Sequence, residues 1–257
     1  MHPLLEGAER LVVGHRGNSA HAPENTLESF RQAVTLGVDA IEFDVRATAD
    51  GRIVVHHDPT LGRTTSGSGA LASMTLAQIA SLDAGAQFTR DAGTSYPYRD
   101  RGVGVPTLDA VLAEFSDTPL LIEVKTPAAA DGTRALIERH GAEARTIVDA
   151  FDSACLDAFR DSRIAIGSSR NDVARLMAIA LSGLRPRSVP YRVVCVPERY
   201  NGLPLPVTRF ARALRPLDVP VHVWTVNDPR DAERLWASGV SAVISDDPGT
   251  MMRLRQS

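Results

Sequence analysis

Cysteine is nearly absent: Cys155 and Cys195 are the two in 257 residues. They lie far apart and lack metal-type spacing, which excludes a disulfide framework or a cysteine-built zinc site and leaves reduced structural thiols as the expectation. Aromatic residues make up only 5% of the chain, and no apolar run approaches the roughly 18 residues of a membrane-spanning helix. The N-terminal MHPLLEGAERLVV lacks a basic segment followed by an apolar one, so a secretory signal is not expected and a cytoplasmic location is. Positive charge is not in excess either. A formal net charge of -3 offers no electrostatic footprint for nucleic acid. Internal repeats and low-complexity tracts are also missing, and nothing in the sequence speaks to oligomeric state.

What is present is a chain with 44% hydrophobic and 23% charged residues, enough apolar material for a substantial core. Nine short β-rich runs recur, at residues 10–15, 39–45, 52–57, 120–125, 146–151, 163–168, 192–197, 221–226 and 241–246. Between them lie segments of helical periodicity such as TLESFRQAVTLG, TLDAVLAEF, DVARLMAIALSG and DPRDAERLWASG, several opening on Thr or Asp and closing on Gly. Strands alternating with helices predict βαβ units and a parallel sheet. The link between Val45 and Arg52 is too short for a helical crossover, which needs at least about 10 to 12 residues. Its Asp50-Gly51 pair is a hairpin signal, so residues 39–57 read as one barrel strand and an antiparallel return. A turn centred on residues 49 and 50 would set His57 opposite Glu42. Removing the return leaves eight strands. They predict an α/β fold, a (β/α)8 TIM barrel forming one domain over residues 1–257, with a small insertion after the second-strand hairpin, at about 59–105, over one barrel mouth.

Sites in such barrels gather at the C-terminal strand ends. There the sequence places His15 and Arg16 on the first strand, Glu42 and Asp44 on the second, His57 and Asp58 on the return, and Glu123 and Lys125 on the third. Alternation turns both members of each ExD or ExK pair to one face. A carboxylate facing an apolar barrel is costly unless paired or bound to a cation. Any one acid is explained by an ion pair with Arg16 or Lys125. Glu42, Asp44 and Glu123 together exceed what packing requires and suggest a hard divalent ion, Mg2+ or Ca2+. His15 and His57, each a common buried histidine if taken singly, can beside such a cluster act as general acid and general base.

The run HRGNSAHAPENT, then IEFDV, ADGRIVVHHDPTLGRTTSGSG, VPTL, IEVK, WTVND and VISDDP, resembles the glycerophosphodiester phosphodiesterase family in order and spacing across nearly the whole chain. The resemblance implies a TIM barrel that hydrolyses glycerophosphodiesters to glycerol 3-phosphate and an alcohol. It implies His15 and His57 as the acid/base pair, Glu42, Asp44 and Glu123 as metal ligands, Arg16 and Lys125 on the phosphate, and Trp224 at the glycerol end. It leaves open which histidine is the acid, and whether a glycerol hydroxyl or water attacks phosphorus. The family's catalytic histidine directly precedes Asp, which selects His57 over His56. His21, Pro23, Glu24 and Asn25 read as a loop scaffold. Asn227 and Asp246 are as readily structural as substrate-binding, and the glycines of GSG at 67–69 serve a turn as well as a phosphate. A rival reading is a phospholipase D-like activity on lysophospholipids, for which GALASM and YNGLPLPV would have to line an apolar slot. A silent phosphate-ester-binding barrel would be expected to lack a histidine or an acid, and none is missing.

Overall fold

The computed structural model describes residues 2–5 and 9–256. Its strands, in chain order, are β1 (Leu11–His15), β2 (Ala40–Ala47), β3 (Ile53–Val55), β4 (Leu120–Val124), β5 (Thr146–Asp149), β6 (Ala165–Ile166), β7 (Val194–Pro197), β8 (Arg199–Tyr200), β9 (Leu203–Pro204), β10 (Val221–Trp224) and β11 (Ala242–Ser245). Eight of them run parallel in the order β6-β5-β4-β2-β1-β11-β10-β7. A parallel bridge between Gly167 and Val193 joins the two ends, closing the ring expected of a (β/α)8 barrel.

The helices are α1 (Leu27–Thr35), α2 (Leu76–Ile79, within the insertion), α3 (Leu108–Glu114), α4 (Ala130–Arg139), α5 (Arg170–Ser182), α6 (Val207–Leu214), α7 (Pro229–Ala237) and α8 (Pro248–Gln256). Their starts follow the cap residues in the sequence. Thr26, Thr107 and Asp228 each accept a hydrogen bond from a backbone N–H of the first turn, and Ser169 and Asp172 form a capping box at α5. One crossover departs from the pattern. Between β5 and β6 the chain makes two short 3-10 turns, at Ser153–Cys155 and Asp157–Phe159, which bury Cys155, Leu156 and Phe159 where a helix face would otherwise pack.

β3 returns antiparallel on β2 as expected, but the register differs by one residue. Val45 pairs with Val55, which sets His57 opposite Phe43 rather than Glu42 and His56 beside Asp44, with the His56 N–H donating to the Asp44 carbonyl at 2.9 Å. The physical reason is the turn. Thr48 and Arg52 pair around a three-residue loop, Ala49-Asp50-Gly51, with Gly51 in the left-handed region at φ +72, instead of a two-residue turn. Residues 58–106 then bury Leu61, Leu71, Ile79, Ala84 and Val105 against Val54 of β3. The short β8–β9 hairpin was not expected from the sequence. Among the described residues no helix is long and apolar enough to cross a membrane.

Inside the ring, Val13, Ala40, Leu121, Ile147 and Ile244 form a layer with Leu4 beneath them. Two residues further along each strand, on the same face, the side chains become polar. The turn after β1 is held tightly against α1. Gly17 has φ +91, and a Cβ there would fall 2.3 Å from the Ser29 hydroxyl and 2.7 Å from its carbonyl carbon. Gly17→Ala is therefore expected to destabilise the fold by about 1–3 kcal/mol. A urea midpoint equal to the parent's would contradict this packing.

Candidate active site

The two-residue step that follows the apolar layer brings His15, Glu42, Glu123, Asp149 and Asp246 to one end of the barrel, the C-terminal end of its strands, where Trp224 ends β10. His15, Arg16, Glu42, His57, Glu123, Lys125 and Trp224 line one pocket of about 170 Å³. Asp44 lies just beneath, 1% exposed. All eight side chains singled out in the sequence thus converge.

The acids form the centre. Ligand atoms of Glu42, Asp44 and Glu123 lie within 4.8 Å of one another. Lys125 Nζ stands 3.2 Å from Asp44 and 2.8 Å from Glu123, and Arg16 Nε 3.4 Å from Asp44. The Arg16 backbone N–H donates to Glu42 at 3.0 Å, a geometry that puts Arg16 itself at φ +52. Burial pushes the Asp44 carboxyl upward, but Lys125, Arg16, His57 and the amide of Asn25 outweigh it and hold it at about 2. Burial first and the Asp44 charge second push Glu42 up to about 7. The same two causes raise Glu123. Glu42, Asp44 and Glu123 form an all-oxygen donor set of a kind that fits a hard divalent ion.

The two histidines differ in their support. His15 Nδ1 lies 2.6 Å from Asp246, whose other side-chain partners, Ser19 and Asn227, are neutral. Burial is the largest influence on His15 and lowers its pKa, yet the bond to Asp246 and the nearby Glu42 charge raise it above the ordinary value. His57 Nδ1 lies 2.6 Å from Asp58, but Asp58 is shared with Arg63, which also grips Glu24 at 2.7 Å. Burial, reinforced by the Lys125 and Arg16 charges, leaves the His57 pKa below its ordinary value. Arg46 Nε donates to the His57 carbonyl at 2.8 Å and fixes that backbone.

His56 points away from the site, with Nε2 3.1 Å from the Thr60 carbonyl. His21 pairs with Asp247 at 3.2 Å. Glu24 and Asn25 do more than hold the loop. Glu24 bridges Arg16 to Arg63, and Asn25 makes two hydrogen bonds to Asp44, donating from Nδ2 at 2.8 Å and accepting from the backbone N–H at 3.2 Å. Sequence reasoning missed Arg63, which lies in the insertion, and Asp149, Phe151 and Cys195, which complete the pocket wall. Asp149 had a usable signal, since it ends β5 as Glu123 ends β4. Both cysteines are free and buried.

The family profile described as the glycerophosphoryl diester phosphodiesterase family matches residues 15–250. The chain belongs to the glycerophosphoryl diester phosphodiesterase family. Among its relatives, the glycerophosphodiester phosphodiesterase of Caldanaerobacter subterraneus subsp. tengcongensis is 32% identical over 254 residues, covering 95% of this chain and 97% of the relative. A glycerophosphoryl diester phosphodiesterase domain from Mycobacterium tuberculosis superposes with a TM-score of 0.83 at 24% identity, covering 95% of this chain and 98% of that one. An Oleispira antarctica phosphodiesterase solved with the product sn-glycerol-3-phosphate superposes at 0.77 with 24% identity, covering 96% and 97%. In family terms, the TIM barrel read from the sequence is the fold of these neighbours.

Removing the Asp246 charge should leave burial of His15 less opposed. In Asp246→Asn, His15 is expected to titrate at lower pH than in the parent protein, followed by imidazole NMR. An unchanged or higher titration would contradict the assigned cause.

Proposed function

We propose that the chain hydrolyses glycerophosphodiesters to glycerol 3-phosphate and an alcohol, with a divalent cation, Mg2+ or Ca2+, held by Glu42, Asp44 and Glu123. The observation that carries this reading is the meeting of two histidines with different carboxylate support around one cluster of three acids and two cations. The family match and the relative's name support the substrate class, as does sn-glycerol-3-phosphate in a neighbour of the same fold. When bound, the cation supplies positive charge to the nonbridging phosphate oxygens.

The chain's own residues do the rest. Arg16 and Lys125 face the same anionic centre and add preorganised charge that is stronger in this buried pocket than in water. Trp224, packed edge-on against Phe151 with ring centroids 5.9 Å apart, offers an apolar face for the glycerol carbons. The bond to Asp246 and the Glu42 charge raise the His15 pKa above its ordinary value, which suits the acid that protonates the departing oxygen. Burial and the Lys125 and Arg16 charges lower that of His57, which suits the base that takes a proton from the nucleophile, a glycerol hydroxyl or water.

His15→Ala and His57→Ala are each expected to lower kcat on glycerophosphocholine by roughly 10²- to 10⁴-fold, assayed with Mg2+ or Ca2+ present. Near-parent turnover in both variants would reject the acid/base assignment. Chelation by EDTA should abolish turnover and added Mg2+ or Ca2+ restore it. Activity that survives chelation would reject the metal site.

A further inference from the structure

Charge is unevenly spread over this chain. Residues 183–215 hold seven arginines and one acid, although the chain as a whole carries a net charge of -3. The acid, Glu198, is taken by Arg234 at 2.8 Å, and Arg199 donates to the Gly202 carbonyl. The other six, Arg185, Arg187, Arg192, Arg209, Arg212 and Arg215, are exposed. Among the described residues their side chains have no hydrogen-bond or ion-pair partner. The same part of the chain carries the most exposed apolar side chains. Leu203 is 70% exposed, Leu184 67% and Leu181 59%, and among the described residues no other large apolar side chain is more than half exposed.

The barrel sets these residues along one flank. Its helices run opposite to its parallel strands, so the link from α5 to β7 lies at the N-terminal end of the strands and the β8–β9 hairpin at the C-terminal end. The eight residues of α6, about 12 Å long, run back between the two. Val207, Phe210, Ala211 and Leu214 bury one side of α6 in the core with β7 and β10. Arg209, Arg212 and Arg215, spaced three apart, stand on its exposed side. Leucines thus mark both ends of the flank, and unpaired arginines fill the space between. The α6 dipole accounts for Arg212 and Arg215 at the end of that helix, and for none of the other four.

We infer that this flank docks onto a lipid bilayer containing anionic phospholipids, with Leu181, Leu184 and Leu203 entering the boundary between headgroups and acyl chains and the arginines meeting the lipid phosphates. Charge complementarity selects an anionic partner. Leucines at both ends of the arginine row select a layered one, apolar beneath its phosphates. A nucleic acid offers the phosphates without the apolar layer. Docked in this way the barrel lies on its side, and the pocket at the C-terminal end of the strands stays open to water. None of the docking side chains lines that pocket, so the inference stands independently of the hydrolytic reading.

The test is co-sedimentation of the full chain with vesicles of phosphatidylcholine, with and without phosphatidylglycerol. Binding is expected to the mixed vesicles at low salt, and should be roughly tenfold or more weaker on pure phosphatidylcholine. It should fall steeply at about 1 M salt, where the Debye length is about 3 Å. Arg209→Gln, Arg212→Gln and Arg215→Gln combined should weaken it by about a hundredfold, at about fivefold for each charge. Leu184→Ser with Leu203→Ser should weaken it by about tenfold. Both variants change exposed side chains and should keep the parent's thermal midpoint. Absence of binding to the mixed vesicles overturns the inference, and so does binding that either variant leaves unchanged. Tighter binding to a DNA duplex than to the mixed vesicles also overturns it. If a variant fails to fold, the parent's preference for anionic vesicles and its salt dependence decide.

Discussion

The rim of this barrel is organised around one buried charge, that of Asp44. A carboxylate at 1% exposure is tolerated only where it is paired and hydrogen-bonded. Meeting that demand draws in Arg16 from the end of β1, Lys125 from the end of β4 and Asn25 from the first loop. It also shapes the backbone, since both Arg16 and Asn25 sit in the left-handed region that non-glycine residues seldom occupy. Strain of this kind persists where surrounding contacts over-determine it, and here the contacts are those of the proposed phosphate cradle. Glu42 and Glu123 share the space, Glu123 with Lys125 at 2.8 Å and Glu42 with the Arg16 backbone N–H at 3.0 Å. Burial first and the Asp44 charge second push both carboxyls up.

The same economy explains the long segment between β3 and α3. Its Arg63 ties Asp58 and Glu24 together, so one side chain joins the end of the β3 return, the first loop and the insertion. At His57, burial with the Lys125 and Arg16 charges outweighs the bond to Asp58, whereas at His15 the bond to Asp246 and the Glu42 charge outweigh burial. Two His–Asp contacts of equal length, 2.6 Å, therefore support histidines whose pKa values move in opposite directions. Distance alone would not have told them apart.

Much of this is legible in the sequence. Alternation of β-rich and helical segments, Thr, Ser and Asp caps, and the short Val45 to Arg52 link are local signals, and they led to the eight-stranded ring and its one return strand. The period of two led from apolar positions such as Val13 and Leu121 to His15 and Glu123 at the rim. Where local signals were ambiguous the reading slipped. A glycine turn of three residues instead of two moved His57 by one register position, and two 3-10 turns took the place of a helix between β5 and β6.

The sequence by itself determined which residues carry charge at the strand ends, because strand periodicity and motif spacing are properties of neighbouring positions along the chain. Only the tertiary structure decided how those charges divide among partners: that Arg63 belongs to Asp58 and Glu24, and that Asp246 belongs to His15. The pairings of Arg63 with Glu24 and of Asp246 with His15 join residues 39 and 231 positions apart, on segments that meet only when the barrel closes. The energy of a buried charge depends on everything within a few ångströms of it, and that neighbourhood exists only in the folded chain.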